Sequence, residues 1–237
     1  MGGQFDSMSE DKPTGKNSNT NKMAFIVGYT GETGKALVKE ISKTKLFRKV
    51  VLIGRREVKL DADVGPEIEQ KIVDFDYLSD YKESFKDLDT GFCCLGTTRG
   101  KAGKDGFIKV DHDYVVQSAE VAKNMGCKHF LLVSSYGAKK DSFFLYPRVK
   151  GEVEEELKAM NFERLSIFRP GMLLCEREES RPMEACIRCC FKPLPKFVIH
   201  ASAVSTADLA KAMLNKVVNP STEKVETIEN KQLYSLI

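Results

Sequence analysis

No stretch of this sequence stays apolar for the roughly 20 residues that a membrane-spanning helix needs. Residues 1–21 lack the apolar core of a secretory signal and are rich in Gly, Ser, Asn and Lys. They read as a disordered tail. Met1-Gly2 does not open a myristoylation signal, because Asp6 stands where Ser or Thr is needed. A large excess of one charge is missing too: the formal net charge is +3, too small to argue for nucleic acid. The seven cysteines are odd in number, which speaks against a disulfide-built protein and for a reducing cytosolic or nuclear setting. Cys186-Ile-Arg-Cys189-Cys190 contains a CxxC, but no second pair follows at ligand spacing and the three histidines are scattered. No metal site is expected. Cys175 follows a strand end, so oxidant is expected to give a reducible dimer of an otherwise monomeric chain, through Cys175 or the Cys186–Cys190 cluster.

What is present is length and rhythm. The 237 residues suffice for one large α/β domain with a sizeable core, placed at residues 22–237. Its organising stretch is Met23-Ala-Phe-Ile-Val-Gly28-Tyr-Thr-Gly31-Glu-Thr-Gly34 and the helical pattern after it. An apolar β-forming run, three glycines spaced by three and a helix read as strand, tight turn, helix. Gly28 permits the sharp reversal, Gly31 lets a pyrophosphate approach the backbone, and Gly34 lets the helix sit close to the strand. The unpaired first N–H groups of the helix suit a phosphate. A P-loop is excluded, because Tyr29 stands where its first glycine belongs and Ala36 where its Ser or Thr belongs.

Further strands are expected at Lys49–Arg56, Lys71–Phe75, Gly91–Thr98, Lys128–Ser135 and Leu165–Gly171. Helices are expected at Val110–Met125, Arg148–Met160 and Thr206–Val218, and a basic Gly-rich loop at Arg99–Lys104. Short strands alternating with helices mean parallel pairing and a doubly wound, Rossmann-like sheet with helices on both faces. Leu173–His200 breaks the rhythm and is expected to form a small irregular substrate region over the carboxyl edge.

Two arginines, Arg55 and Arg56, end the second strand, where an acidic residue usually binds the adenine ribose hydroxyls. Two guanidinium groups suit a 2′-phosphate, so NADPH is expected over NADH; a solvated charged turn is the plainer alternative. Tyr146 and Lys150 lie four apart, one turn of a helix if the segment is helical. A phenol of pKa about 10 is a poor acid–base group at neutral pH unless an ammonium stands beside it. Ser135, at a strand end, is placed to bond a substrate carbonyl. YxxxK alone is common by chance; after a strand ending in Ser-Ser it is more specific.

These motifs, with Gly31-Glu-Thr-Gly34, Leu52-Ile-Gly-Arg-Arg56, Gly91–Gly103, Val149–Glu154, Phe168-Arg-Pro-Gly171 and Glu179-Ser-Arg-Pro182, resemble the atypical branch of the short-chain dehydrogenase/reductase family. The resemblance runs from about Lys22 past Leu214. It implies that Gly28, Thr30, Gly31, Glu32, Thr33, Gly34, Arg55, Arg56 and Asp74 bind NADPH or NADP, with Leu95, Gly96, Leu173 and Arg181 bordering it. It implies an active centre of Tyr146, Lys150 and Ser135 (or Ser134), acting on an unidentified carbonyl substrate. It also implies roles in nuclear transport, transcription and apoptosis through protein partners, in cytoplasm and nucleus. Two features depart from the family pattern: Asp111 stands where many relatives carry an asparagine of a proton relay, and the Ser–Tyr spacing is short. The sequence thus leaves a reductase and an NADPH-holding regulator both open.

Overall fold

The computed structural model describes residues 22–60, 65, 67–174 and 203–237. The expectations placed on the tail, Arg181, Cys175, Cys186, Cys189 and Cys190 lie outside them. In chain order come β1 (Met23–Val27), α1 (Glu32–Ser42), β2 (Lys49–Gly54), β3 (Ile68–Ile72), β4 (Thr90–Cys93) and α2 (Arg99–Ile108). Then follow α3 (Tyr114–Asn124), β5 (His129–Val133), α4 (Leu145–Ala159), β6 (Arg164–Arg169), β7 (Met172–Leu174) and β8 (Ala203–Ser205). The described chain closes with α5 (Thr206–Val218), β9 (Val225–Glu229) and α6 (Asn230–Leu233). One sheet has the order β3-β2-β1-β4-β5-β6-β9, with every neighbour parallel. The fold is the expected doubly wound α/β sheet.

The continuous apolar runs of the sequence are strands covered on both faces. Along β1, Ala24 and Ile26 join one core while Phe25 and Val27 join the other. β2 repeats this, with Val50 and Leu52 on the first side and Val51 and Ile53 on the second. Leu37, Val38 and Ile41 of α1 pack with Leu209 and Met213 of α5 in the first core. Val115 and Ala119 of α3 pack with Val153 and Leu157 of α4 in the second. β1 lies between β2 and β4, so the connections leave it in opposite directions. A crevice opens there, at the carboxyl ends of β1 and β4, where ligands bind in such sheets.

Some boundaries differ from the expected ones. The third strand lies at Ile68–Ile72 because those residues pair with Val50–Gly54. Asp74 instead caps the irregular 3-10 turns of Phe75–Phe85, its carboxylate accepting from the Asp76 N–H at 2.9 Å. The Gly-rich stretch from Arg99 is helix α2, kinked at Gly103, where φ is +71°. A wide π turn, Lys109–Asp113, joins it to α3. α4 begins three residues before the expected Arg148, which brings Tyr146 into the helix. Pro147 sits in its first turn, where a missing N–H costs nothing. Strand β9 and the small β7–β8 pair were not expected; β9 alternates charged residues with Ile228 on the sheet edge.

Candidate active site

The glycine turn has the expected shape. Gly28 has φ +80°, and a Cβ there would lie 2.5 Å from the Cys94 carbonyl carbon. A Cβ on Gly34 would strike the Gly28 carbonyl oxygen and approach the Tyr29 Cα to 2.5 Å. Strand and helix therefore meet at backbone contact, and no other residue fits. Gly31 is different: a Cβ would meet only the Gly28 oxygen, at 3.5 Å, so its front is open. Gly31 is the N-cap of α1 and has no side chain with which to cap the first N–H groups. An open glycine before uncapped N–H groups fits a pyrophosphate. Thr30 borders the turn, Thr33 is buried behind it, and the Glu32 carboxylate faces Lys35 at 3.4 Å.

The Arg55–Arg56 turn is built onto this glycine turn. The buried Tyr29 hydroxyl lies 2.8 Å from the Arg56 carbonyl oxygen and 2.9 Å from Gln70 Oε1, its one proton serving either. The Gln70 amide also grips Val58, accepting from its N–H at 3.0 Å and donating to its carbonyl at 2.9 Å. Burial, together with the charge of Glu57, raises the Tyr29 pKa and keeps the phenol neutral. Both arginine side chains are exposed. Beside them a cavity of about 570 Å³ is lined by Thr30, Lys35, Lys39, Arg56 and Lys59. Those cations are a ready attraction for a phosphate at the adenosine end of the crevice. The sequence reading missed Tyr29, Gln70 and the lysines. Lys35 and Lys39, four apart on α1, were legible as one helix face.

Leu95 and Gly96 follow β4 along the crevice, and the next peptide is pinned: Thr97 N–H donates to Asp111 Oδ2 at 2.7 Å. Asp111 Oδ1 lies 2.8 Å from Lys150 Nζ. Only 1% of Asp111 and 6% of Lys150 is exposed. Burial, the largest single influence, works to lower the Lys150 pKa, but the charge and hydrogen bond of Asp111 together with Tyr146 and Cys93 outweigh it, so the ammonium's pKa is raised. Asp111 is thus the counter-ion of Lys150 and the clamp of the crevice wall.

Tyr146 and Lys150 share α4, and the Tyr146 ring stacks on buried Phe107 at 5.7 Å with the planes 29° apart. Ser135 follows β5, its hydroxyl 3.4 Å from the neighbouring Tyr136 carbonyl, a contact weak enough to yield to a ligand. Ser134 is not available: it is buried and its hydroxyl donates to Glu154 Oε1. Glu154 in turn holds Arg169, Nε at 3.0 Å, and Arg169 Nη1 reaches Glu229 at 2.9 Å. This chain of charges ties α4 to the carboxyl ends of β5, β6 and β9. Hydrogen bonds to Glu154 hold the Arg169 pKa above its ordinary value despite burial. Leu173 lies half-buried in β7, paired with Val204. Burial raises the thiol pKa of Cys93 to about 12 and also raises those of Cys94 and Cys127, so these three are poor nucleophiles.

Known proteins are similar to this chain in sequence and in fold. Residues 28–220 match a family described as NAD(P)H-binding. The chain is 51% identical over 216 residues to Protein HTATIP2 of Rattus norvegicus, covering 91% of this chain and 89% of that protein. It is 36% identical over 175 residues to the protein fmp52-1, mitochondrial, of Aspergillus oryzae, covering 69% of this chain and 71% of that protein. In fold it is similar to a UDP-glucuronic acid 4-epimerase from Bacillus cereus solved with NAD. That likeness has a TM-score of 0.66 at 14% identity and covers 88% of this chain and 76% of that one. No described helix is long and apolar enough to cross a membrane. With the glycine turn, the strand order and the family match in agreement, the chain belongs to the NAD(P)H-binding family of Rossmann-type proteins.

Proposed function

We propose that this chain is an NADPH-dependent oxidoreductase of the short-chain dehydrogenase/reductase type that reduces a carbonyl compound, with Tyr146 as proton donor. The observation that carries the reading is that Tyr146 and Lys150 lie one turn apart on α4 and interact electrostatically, while Ser135 follows the carboxyl end of β5 in the sheet whose β1 opens into the glycine turn. Gly28, Thr30, Gly31, Glu32, Thr33 and Gly34 would hold the pyrophosphate. Arg55 and Arg56 would take the 2′-phosphate, and Asp74, Leu95, Gly96 and Leu173 would border the nucleotide. Bound there, NADPH supplies a hydride to the carbonyl carbon. Ser135 donates a hydrogen bond to the carbonyl oxygen, and Tyr146 gives that oxygen its proton. Water restores the phenol, whose residue is 47% exposed. Lys150, charged and fixed by Asp111, favours the phenolate form left behind.

A second reading is favoured by one observation: the Lys150 ammonium is already engaged by Asp111. In that reading the chain holds NADPH as a structural ligand. It acts in cytoplasm and nucleus through protein partners in nuclear transport, transcription and apoptosis, as a monomer with an oxidative disulfide dimer as its other form. Tyr146→Phe separates the two. The reductase keeps its NADPH affinity and loses about 10²–10⁴-fold in turnover on any accepted carbonyl. The regulator keeps full cellular function with the same substitution, and no carbonyl oxidises NADPH in its wild type.

A further inference from the structure

We infer that the carbonyl compound this site accepts is apolar, an aromatic or long-chain aldehyde or ketone, held by ring faces rather than by ion pairs. The inference rests on the reductase reading. If Ser135 and Tyr146 both touch one carbonyl oxygen, the connection between them, residues 136–145, starts and ends beside that oxygen and is the surface nearest in sequence to the rest of the molecule. This short connection carries three large exposed aromatics: Tyr136 at 70%, Phe143 at 93% and Phe144 at 73%. Single exposed apolar residues are ordinary, but a cluster at a site marks something to be covered. The Phe143 and Phe144 rings meet edge to face, centroids 6.1 Å apart.

The connection is braced before any ligand arrives. Tyr136 N–H donates to the Pro170 carbonyl at 2.8 Å, Ala138 N–H to Ser135 at 3.1 Å, and Ser142 N–H to the Lys139 carbonyl at 3.0 Å. Phe144 N–H donates to Ser142 Oγ at 3.2 Å. A preordered apolar surface loses little entropy on binding. The Lys139–Lys140 backbone presses on Gly151 of α4, where a Cβ would lie 2.7 Å from the Lys139 Cα, which seats the connection on the helix. Several charged groups of the same neighbourhood have other engagements. The Lys140 charge acts on Glu155, Arg148 faces Glu152 at 3.8 Å, and Lys150 is bound to Asp111. Aromatic stacking is already the idiom of the site in the Phe107–Tyr146 pair.

The test compares wild type with the double variant Phe143→Ser/Phe144→Ser, whose side chains are exposed and whose folding is checked by circular dichroism. NADPH oxidation is followed with naphthaldehyde, decanal, glyceraldehyde and succinic semialdehyde, and naphthaldehyde binding is followed separately by saturation-transfer NMR. The expected result is a lowest KM for naphthaldehyde and decanal, raised about 10–100-fold in the variant through loss of apolar burial. The NADPH affinity of the variant stays unchanged. Preference for glyceraldehyde or the semialdehyde, with kinetics untouched by the variant, overturns the inference and leaves the reductase standing. Naphthaldehyde that binds wild type and not the variant, with no NADPH oxidised by any carbonyl, upholds the aromatic surface and overturns the reductase.

Discussion

Replacing Asp111 with asparagine removes one charge from a place that water does not reach. The amide is nearly isosteric, and its oxygen can still accept from the Thr97 N–H, now made at 2.7 Å. What is lost is the counter-ion 2.8 Å from the Lys150 ammonium. Removing one partner of a buried pair typically costs about 3–5 kcal/mol, because the other charge stays buried alone. The retained Thr97 bond puts Asp111→Asn near the low end, about 3 kcal/mol, or a melting temperature about 6–12 °C lower at neutral pH for a domain of this size. The pH dependence has a definite sign. The Lys150 pKa is raised in the folded protein above the ordinary 10.5. Its contribution is fully present below 10.5 and lost as pH rises through the higher folded value. In the variant the unpaired ammonium sheds its proton below 10.5, so the gap to wild type begins to narrow before pH 10.5 and goes on narrowing as pH rises through the higher wild-type value. Differential scanning fluorimetry across that range reads it directly. Equal melting temperatures at neutral pH would refute the reasoning.

Gly34→Ala puts a methyl group against the Gly28 carbonyl and 2.5 Å from the Tyr29 Cα, so calorimetric titration should find NADPH binding lost together with stability. Arg55→Asp should bring the affinities for NADPH and NADH together by weakening NADPH about 10–100-fold, the worth of a charged hydrogen-bonded pair; an undiminished preference for NADPH would place the 2′-phosphate elsewhere. Ser134→Ala should cost stability by removing one hydrogen bond from buried Glu154 and spare turnover, whereas Ser135→Ala should do the reverse. His129 is buried neutral beside Ser166, and burial with the charges of Arg164, Lys22 and Lys216 lowers its pKa from 6.5 to about 4. Below pH 6.5 the unfolded chain takes a proton that the folded one refuses, so stability should fall by about 3 kcal/mol between pH 6.5 and 4. His129→Gln should flatten that slope in urea unfolding.

Much of this was legible in the residues. The glycine turn announced itself because two of its glycines, Gly28 and Gly34, meet a steric demand that the structure makes visible. The central strands were legible because burial on both faces leaves unbroken apolar runs. Edge elements were not: β9 and β3 mix charged residues with apolar ones, and a two-sided pattern hides in such short segments. Helix α2 was hidden by its glycines, which the sheet tolerates at an exposed crossover. Tyr146 and Lys150 were singled out by their spacing, but nothing local tells that the Lys150 partner is Asp111, thirty-nine positions away. The same holds for Tyr29, just past β1, and Gln70, in the middle of β3, which support the arginine turn together. The choice between Ser134 and Ser135 also needed three dimensions, because strand direction alone decides which hydroxyl is turned to Glu154.

The central claim is that hydride passes to a carbonyl at this site while Tyr146 supplies the proton. Its most direct measurement is mass spectrometry of the alcohol formed from a turned-over carbonyl with NADPH deuterated at the transferable position, for wild type and Tyr146→Phe matched in NADPH occupancy. The account predicts one deuterium on the carbinol carbon in wild type and a yield about 10²–10⁴-fold lower from the variant. An alcohol without deuterium, or an equal yield from Tyr146→Phe, would contradict it.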